Sequence, residues 1–148
     1  MEQHLRSLVE TCSLIPNSQF GFRQGRSTST YLLNLLTEST HYTKKNKLCA
    51  AALFLDLQKA FDTVNHQHTL YRLLELGLGG NFLHVIDSFL SKREINLKIN
   101  NYIHPASKCQ IGPPQGSVLS PLLFIIYIRD MLSNIAGTGL QYADDCTF

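Results

Sequence analysis

The sequence predicts an α+β fold in which a small antiparallel sheet is backed by helices. Two observations support this fold class. Several segments carry apolar residues at helical spacing, whereas others are short apolar or alternating runs of the kind that form strands. Helices and strands interleave along the chain, but residues 140–148 have the pattern of a hairpin, so strand pairing there is antiparallel. The 148 residues, 44 % apolar and 16 % charged, are sufficient for one folded core.

Two helices are predicted in the N-terminal third of the chain. The first runs from Met1 to about Leu14 and ends before Pro16. The second begins after Ser27, a candidate N-cap, and runs to about Thr43. Its buried side is predicted to consist of leucines, namely Leu32, Leu33, Leu35 and Leu36.

The middle of the chain predicts one strand and two helices. The continuous apolar run over residues 48–55 predicts a buried central strand that leads into Asp56. Helices are predicted over residues 66–76 and 81–91, and Asn81 can cap the second of them. The inward-facing residues predicted for the first of these helices are Leu70, Leu73 and Leu74.

Alternation and turn residues organise the C-terminal half. Residues 94–99 and 102–111 predict a hairpin that turns at Asn100–Asn101. A rigid loop rich in Gly and Pro, residues 112–117, precedes a helix predicted over residues 120–135. The chain then ends in a hairpin predicted to turn at Asp144–Asp145.

Charge and cysteine spacing narrow the possible function classes. The net charge is only +2, which gives no strong nucleic-acid footprint for the chain as a whole. Basic residues nevertheless outnumber acidic ones before residue 56, whereas every Asp lies at or after that position. This distribution suits a protein that holds phosphates with one part and a metal with another. The four cysteines lack CxxC spacing, which argues against zinc, and the apolar runs are too short to cross a membrane.

Three features indicate chemistry when they are taken together. They are Asp56 at the end of a predicted strand, the 112–117 loop before a helix, and the adjacent Asp144 and Asp145 at a hairpin tip. Each alone is ordinary turn or loop chemistry. Adjacent carboxylates repel unless a cation lies between them or one keeps its proton. Carboxylate oxygens suit Mg²⁺, and two such ions about 4 Å apart can drive nucleotidyl transfer.

Four motifs in a fixed order resemble those of reverse transcriptases. Residues 56–64 (DLQKAFDTV) resemble the first palm motif, residues 112–124 (GPPQGSVLSPLLF) the second, and residues 142–145 (YADD) the third. Upstream, residues 19–28 (QFGFRQGRST) are similar to the fingers motif of non-LTR retrotransposons and group II intron enzymes. The residues of the second motif are typical of the LINE-like branch with jockey-like relatives. The resemblance implies a partial fingers region over 1–47 and a partial palm over 48–148.

The resemblance also implies a metal site and a mechanism. Asp56 and Asp144 would be the principal ligands of two Mg²⁺ ions, and Asp145 would complete the site. A primer 3′-hydroxyl would attack the α-phosphorus of a dNTP, with an RNA strand as the template and a DNA strand as the primer. No membrane partner is implied. The activity implied is therefore that of an RNA-directed DNA polymerase.

Further residues are implied to contact the nucleotide. A bulky Phe61 would clash with a ribose 2′-hydroxyl, and the backbone near Leu57 would lie beneath the triphosphate. Gln115 and Gly116 would touch the incoming nucleotide and the template, because a glycine allows close backbone approach. The two fingers arginines would bind phosphate through their guanidinium groups; these are Arg23 and Arg26.

The sequence leaves two alternative functions open. The chain ends shortly after the Asp pair, so we expect the thumb to be missing and the isolated fragment to be inactive. A non-enzymatic, truncated remnant of a mobile element is therefore the alternative from another class. An RNA-directed RNA polymerase is disfavoured, because those enzymes usually carry Gly where Ala143 stands and because Phe61 favours deoxynucleotides. Departures from the family pattern, at Pro113 and Arg129, lie outside the predicted metal ligands.

Overall fold

The computed structural model describes residues 2–46, 49–91, 93–135 and 137–148. Within these residues the chain forms five α-helices and seven short β-strands, and the α+β class predicted from the sequence is confirmed. Among the described helices, none combines the length and the apolar character that a membrane span needs. The elements in chain order are α1 (Glu2–Thr11), α2 (Thr28–Asn46), β1 (Phe54–Leu55), α3 (His66–Glu75), α4 (Asn81–Ser91), β2 (Glu94–Ile95), β3 (Lys98–Ile99), β4 (Tyr102–Ile103), β5 (Ser107–Lys108), α5 (Ser120–Tyr127), β6 (Leu140–Tyr142) and β7 (Asp145–Thr147).

The chain divides into two compact units. The first unit comprises Met1–Gln58 and Ile128–Phe148, and the second comprises Lys59–Tyr127. The first unit therefore joins the two ends of the chain, while the second is one continuous segment. The division into fingers over 1–47 and palm over 48–148 concerns function rather than compactness, and it stays a prediction.

The first unit is built on an antiparallel sheet with the strand order β1-β7-β6. The register pairs Leu55 with Cys146 and Tyr142 with Asp145. Residues 18–20 extend the sheet beyond β6. Here the Phe20 amide donates to the Gln141 carbonyl at 2.7 Å, and the Gln141 amide donates to the Ser18 carbonyl at 2.7 Å. The N-terminal segment is thus part of the same sheet as the C-terminal hairpin.

The prediction of a buried central strand over residues 48–55 is wrong. The strand begins only at Phe54, and within the described residues it pairs on one side alone, with β7. The Phe54 and Leu55 residues are 64 % and 46 % exposed. Leu48 lies outside the described residues. An apolar run indicates burial only where other elements cover both faces and both edges, and the described elements leave this strand open.

Helix α2 has the predicted cap but a different buried side. Ser27 accepts a bond through its Oγ from the Thr30 amide at 3.2 Å, which confirms the N-cap. The buried residue is Tyr31, which packs with Phe20 and Leu140, and Leu35 is partly buried beside them. The remaining leucines predicted to be buried are exposed instead, namely Leu32 (53 %), Leu33 (64 %) and Leu36 (62 %). The apolar residues cover more than one face of the helix, and the contact with Phe20 and Leu140 sets which face is buried.

The second unit packs α3, α4 and α5 together. Asn65 caps α3 by accepting a bond from the His68 amide at 2.9 Å. Of the residues predicted to face inward in α3, Leu73 is fully buried, Leu70 is half-buried and Leu74 is 53 % exposed. Helix α5 is buried almost all round and ends at Tyr127 rather than near residue 135. Beyond Tyr127 the backbone bonds are i→i+3 turns, such as the one from the Met131 amide to the Ile128 carbonyl at 3.0 Å.

A hairpin arm spans residues 94–108 of the second unit. β3 pairs with β4 and β2 pairs with β5, both in antiparallel register. The predicted turn at Asn100–Asn101 is present, and Asn100 has a φ of +55° that asparagine tolerates better than most residues. All eight strand residues are exposed. The arm therefore contributes little to the buried core of its unit.

Candidate active site

A two-residue turn between β6 and β7 carries the acidic pair. Tyr142 and Asp145 are the last paired residues, so the turn consists of Ala143 and Asp144. The predicted turn at Asp144–Asp145 is thus displaced by one residue, and Asp145 is the first residue of β7. Two-residue hairpin turns need a positive φ at their first central residue, and Ala143 supplies it with a φ of +57°. Residues 142–145 are called the carboxylate turn below.

The carboxylate turn lies next to Asp56 across the sheet. Leu55 is paired with Cys146, and the same register continued by one residue sets Asp56 opposite Asp145. Burial raises the pKa of the Asp145 carboxyl above its usual value, and the negative charges of Asp144 and Asp56 raise it further. The structure therefore brings the three predicted carboxylates together, and their charges act on one another.

A second group of predicted residues meets in the second unit. A cavity of about 410 Å³ is lined by Phe61, Gln115 and Gly116, together with Ser117, Val118, Ser120 and Pro121. The Phe61 ring stacks on Phe124, with 4.5 Å between the ring centroids. The Gln115 amide nitrogen donates to the Asp62 carboxylate at 2.6 Å. The three predicted nucleotide-binding residues of this unit thus share one cavity wall, whereas Leu57 belongs to the first unit and follows Asp56 directly.

Bonds to the preceding segment hold the cavity loop in place. The Gly112 amide donates to the Val64 carbonyl at 2.8 Å, and His66 Nε2 lies 2.8 Å from the Gly112 carbonyl. A Cβ on Gly112 would lie 3.1 Å from the Phe61 carbonyl, and the φ of this glycine is +75°. A glycine is therefore needed here for both space and backbone conformation.

Both fingers arginines contact acceptors within the protein. Arg23 forms an ion pair with Glu10, 2.7 Å between Nη2 and Oε2, and donates to the Pro16 carbonyl at 2.9 Å. The bond from Arg23 lowers the pKa of the Glu10 carboxyl. Arg26 donates to the Asn17 side chain at 2.7 Å, and burial lowers the pKa of its guanidinium. These bonds hold the chain just before residue 18, and phosphate binding by the two arginines stays a prediction.

Comparison with known proteins shows the family of the chain. The family described as reverse transcriptase (RNA-dependent DNA polymerase) matches residues 1–148. The chain belongs to the reverse transcriptase family. It is 32 % identical to the RNA-directed DNA polymerase from mobile element jockey of Drosophila melanogaster over 98 % of its length. It is 34 % identical over 92 % of its length to the protein of the same name from Drosophila funebris. The predicted resemblance to jockey-like non-LTR elements is confirmed.

The reverse transcriptase domain also has the fold of a solved structure. It is similar to apo telomerase from Candida Tropicalis with a TM-score of 0.70 and 18 % identity, over 99 % of this chain and 32 % of that one. At this identity the likeness concerns the fold alone. The chain spans 17 % and 16 % of the length of the two jockey relatives.

The carboxylates of this reverse transcriptase domain offer a donor set that fits a hard cation. All three side chains carry carboxylate oxygens, the donor type that hard cations prefer, and a divalent ion would relieve their mutual repulsion. Within the described residues, no three His, Cys, Asp or Glu side chains are already arranged to hold a metal by themselves. Mg²⁺ typically takes one or two protein carboxylates and completes its shell with water and substrate phosphates.

Sequence analysis missed two residues that contact the carboxylate turn. Gln19 is 1 % exposed and forms hydrogen bonds with both the amide and the carbonyl of Ala143. Gly21 lies so close that a Cβ on it would be 2.2 Å from the Ala143 nitrogen. Both residues belong to the 19–28 motif, but sequence reasoning selected only the two arginines of this motif, because guanidinium groups suit phosphate. Nothing in the spacing reveals which of its residues reaches a turn more than a hundred positions away.

Proposed function

We propose that this reverse transcriptase domain catalyses RNA-templated DNA synthesis, transferring a nucleotide from a dNTP to the 3′-hydroxyl of a primer. The observation that carries the proposal is the meeting of Asp56, Asp144 and Asp145, whose charges act on one another across β1, β7 and the turn. The jockey relatives are named RNA-directed DNA polymerases, which supports the same activity. An RNA template, a DNA primer and a dNTP are the proposed partners.

Asp56 and Asp144 would hold two Mg²⁺ ions, with Asp145 as a weaker ligand. When bound, such ions activate the attacking hydroxyl and stabilise the leaving pyrophosphate. The role of the turn is to hold the Asp144 carboxylate in a fixed direction, so that little reorganisation is needed when the substrate arrives. Asp56 supplies its carboxylate from the neighbouring strand end.

The remaining predicted residues select and hold the nucleotide. The Phe61 ring, fixed by stacking on Phe124, would exclude a ribose 2′-hydroxyl. Gln115 is oriented by its bond to Asp62 and would face the nucleotide together with Gly116, whose φ of +81° presents the backbone. Leu57 would support the triphosphate through its backbone, and Arg23 and Arg26 would add positive charge. No observation favours the non-enzymatic alternative, because all three carboxylates are kept and lie together.

Primer extension by the full-length protein tests this function. The assay contains an RNA template, a DNA primer, dNTPs and Mg²⁺, and compares the wild type with Asp144→Asn. We expect the variant to lose at least about a thousandfold in rate, because a bound metal contributes several kcal/mol to such reactions. The matched control is Asp87→Asn on α4, a carboxylate that accepts a bond from Ser91, and it should keep the wild-type rate. Equal rates for wild type and Asp144→Asn would rule out the proposed metal site.

A further inference from the structure

We propose that Gln19 is a positioning residue for the reaction, which orients Asp144 by holding the backbone of Ala143. This inference rests on the proposed function, since it assigns Gln19 a task in the same site. Gln19 itself does not touch the reacting atoms. It acts through the turn residue that directly precedes the metal ligand.

The Gln19 amide bonds the turn as a second peptide group would. Its nitrogen donates to the Ala143 carbonyl at 3.2 Å, and its oxygen accepts from the Ala143 amide at 2.9 Å. The same oxygen accepts from the Gly21 amide at 2.8 Å. One buried side chain therefore satisfies both backbone groups of Ala143 and is itself oriented by a third bond.

The bonds from Gln19 stabilise Ala143 because its backbone is buried and has a left-handed conformation. The residue is 7 % exposed, so an unpaired amide or carbonyl there would cost about 1–3 kcal/mol. Its left-handed conformation costs roughly a further 1–2 kcal/mol for a residue that has a Cβ. The direction of the next side chain, Asp144, follows from the backbone angles that Gln19 fixes.

Close backbone packing leaves the turn no room to relax on this side. A Cβ on Gly21 would lie 2.2 Å from the nitrogen and 2.8 Å from the Cα of Ala143, distances that real Cβ atoms do not adopt. The two backbones are therefore in direct contact. Gln19 bonds the turn while Gly21 limits its displacement.

The segment that carries Gln19 is itself held in place. Backbone bonds on either side of Gln19 join residues 18 and 20 to Gln141 of β6. The Arg26 guanidinium donates to the Gln19 carbonyl at 3.2 Å and lies over the Phe20 ring at 4.8 Å. The amide of Gln19 is thus presented from the sheet that carries the carboxylate turn, and its position is fixed relative to that turn.

A purely structural glutamine and a positioning glutamine predict different kinetics. A structural role lowers the fraction of folded enzyme and leaves the properties of the folded fraction unchanged. A positioning role changes the folded enzyme itself. The turnover falls and the Mg²⁺ requirement rises, because Asp144 is displaced, while the KM for dNTP stays the same.

The test is primer extension by the full-length protein with two substitutions at this position. Gln19→Met keeps the length of the side chain and removes all three bonds, whereas Gln19→Asn keeps an amide on a side chain that is one methylene shorter. We expect both to lower kcat about ten- to a hundredfold, the size of effect that follows a displacement of about 1 Å. The Mg²⁺ concentration for half-maximal activity should rise in both. Thermal unfolding of each variant confirms that the enzyme is folded at the assay temperature.

The matched control is Gln24→Met, the same substitution at an exposed glutamine of the same segment, and it should keep the wild-type kcat and Mg²⁺ requirement. The inference is overturned if the wild type extends the primer and folded Gln19→Met or Gln19→Asn does so with the same kcat and Mg²⁺ requirement. Failure of the proposed function would give another result, namely equal primer-extension rates for the wild type and Asp144→Asn. In that case the inference about Gln19 would fail together with the proposed function.

Discussion

The two sides of the sheet in the first unit support their carboxylates in different ways. On the β6 side, the carboxylate turn is flanked by buried residues, among them Gln19, Gln141 and Cys146, each 1 % exposed. On the β1 side, Asp56 follows a two-residue strand whose apolar neighbours Leu53 and Phe54 are 57 % and 64 % exposed. The backbone that precedes Asp144 is therefore held by buried neighbours, whereas Asp56 follows a strand that is held mainly by its pairing with β7. Of the two proposed metal ligands, Asp144 therefore follows the more firmly held backbone, and Asp56 has more freedom to move.

The largest expected difference in stability is between truncating an apolar side chain on β6 and truncating one on β1. Leu140→Ala on β6 removes a side chain from the core formed with Phe20 and Tyr31, and should lower the free energy of unfolding by about 2–5 kcal/mol. Phe54→Ala on β1 should cost less than about 0.5 kcal/mol, because the ring is exposed. Urea unfolding of the full-length protein compares them. Equal losses would show that β1 is as well packed as β6.

A methyl group placed against the carboxylate turn should have the next largest effect. Gly21→Ala forces a Cβ onto the Ala143 backbone and should cost about 1–3 kcal/mol as overpacking. Gly79→Ala is the matched control, since nothing lies within 4 Å of its Cβ and its φ is not positive. That variant should be neutral or stabilised by up to about 1 kcal/mol. If Gly21→Ala were as stable as the control, the turn would have room to move.

Removing single hydroxyl groups tests whether a hydrogen bond from α2 stabilises β7. The buried Tyr31 hydroxyl bonds Thr147 of β7, and Tyr31→Phe should cost about 1–2 kcal/mol by leaving the threonine hydroxyl unpaired. The exposed Tyr42 hydroxyl bonds Thr138 at 3.2 Å, and Tyr42→Phe should cost less than about 0.5 kcal/mol. Thermal unfolding of both variants measures the difference. Similar midpoints would exclude the buried bond as a support of β7.

The smallest expected effect concerns pH and the repulsion among the carboxylates. The pKa of Asp145 is raised in the folded protein, so the stabilisation from this group is present below its unfolded pKa and is lost as pH rises through the folded pKa. Without Mg²⁺, Asp145→Asn should therefore raise the stability at pH 7, by less than about 1 kcal/mol because the residue is exposed. The gain should vanish in acid and should be absent in Asp87→Asn. A destabilised Asp145→Asn at pH 7 would contradict this electrostatic account.

Local sequence signals predicted the parts of the fold that depend on local chemistry. Ser27 caps its helix as predicted, because a cap needs only its own side chain and the amides that follow. The start of α3 at His66 was predicted as well, although its cap, Asn65, was not. The hairpin turn at Asn100–Asn101 is equally local. Asp56 and Asp144 could be chosen as a pair because the order of the motifs indicates the family, not because their spacing shows contact.

Tertiary partners decided the features that the sequence did not predict. Helix α2 has apolar residues on more than one face, and only the position of Phe20 and Leu140 selects Tyr31 as the buried residue. The run before Asp56 is apolar enough for a buried strand, but the described elements cover only one edge of it. The contact of Gln19 with Ala143 joins positions 124 residues apart, and no periodicity reports such a pair.

The contact of Gln19 with Ala143 also has a consequence for the order of events during folding. During synthesis the glutamine leaves the ribosome long before the turn that it holds, and its amide has no partner in the turn until residue 143 has been made. Closing so long a loop is slow, but its entropic cost grows only weakly with loop length. Insertions between the two partners should therefore be tolerated far better than insertions within residues 18–21, which would shift the strand register. We therefore expect the carboxylate turn to reach its final form late in the folding of this chain. A chain that stalls late in folding could then be nearly complete while the proposed metal ligands are still out of place.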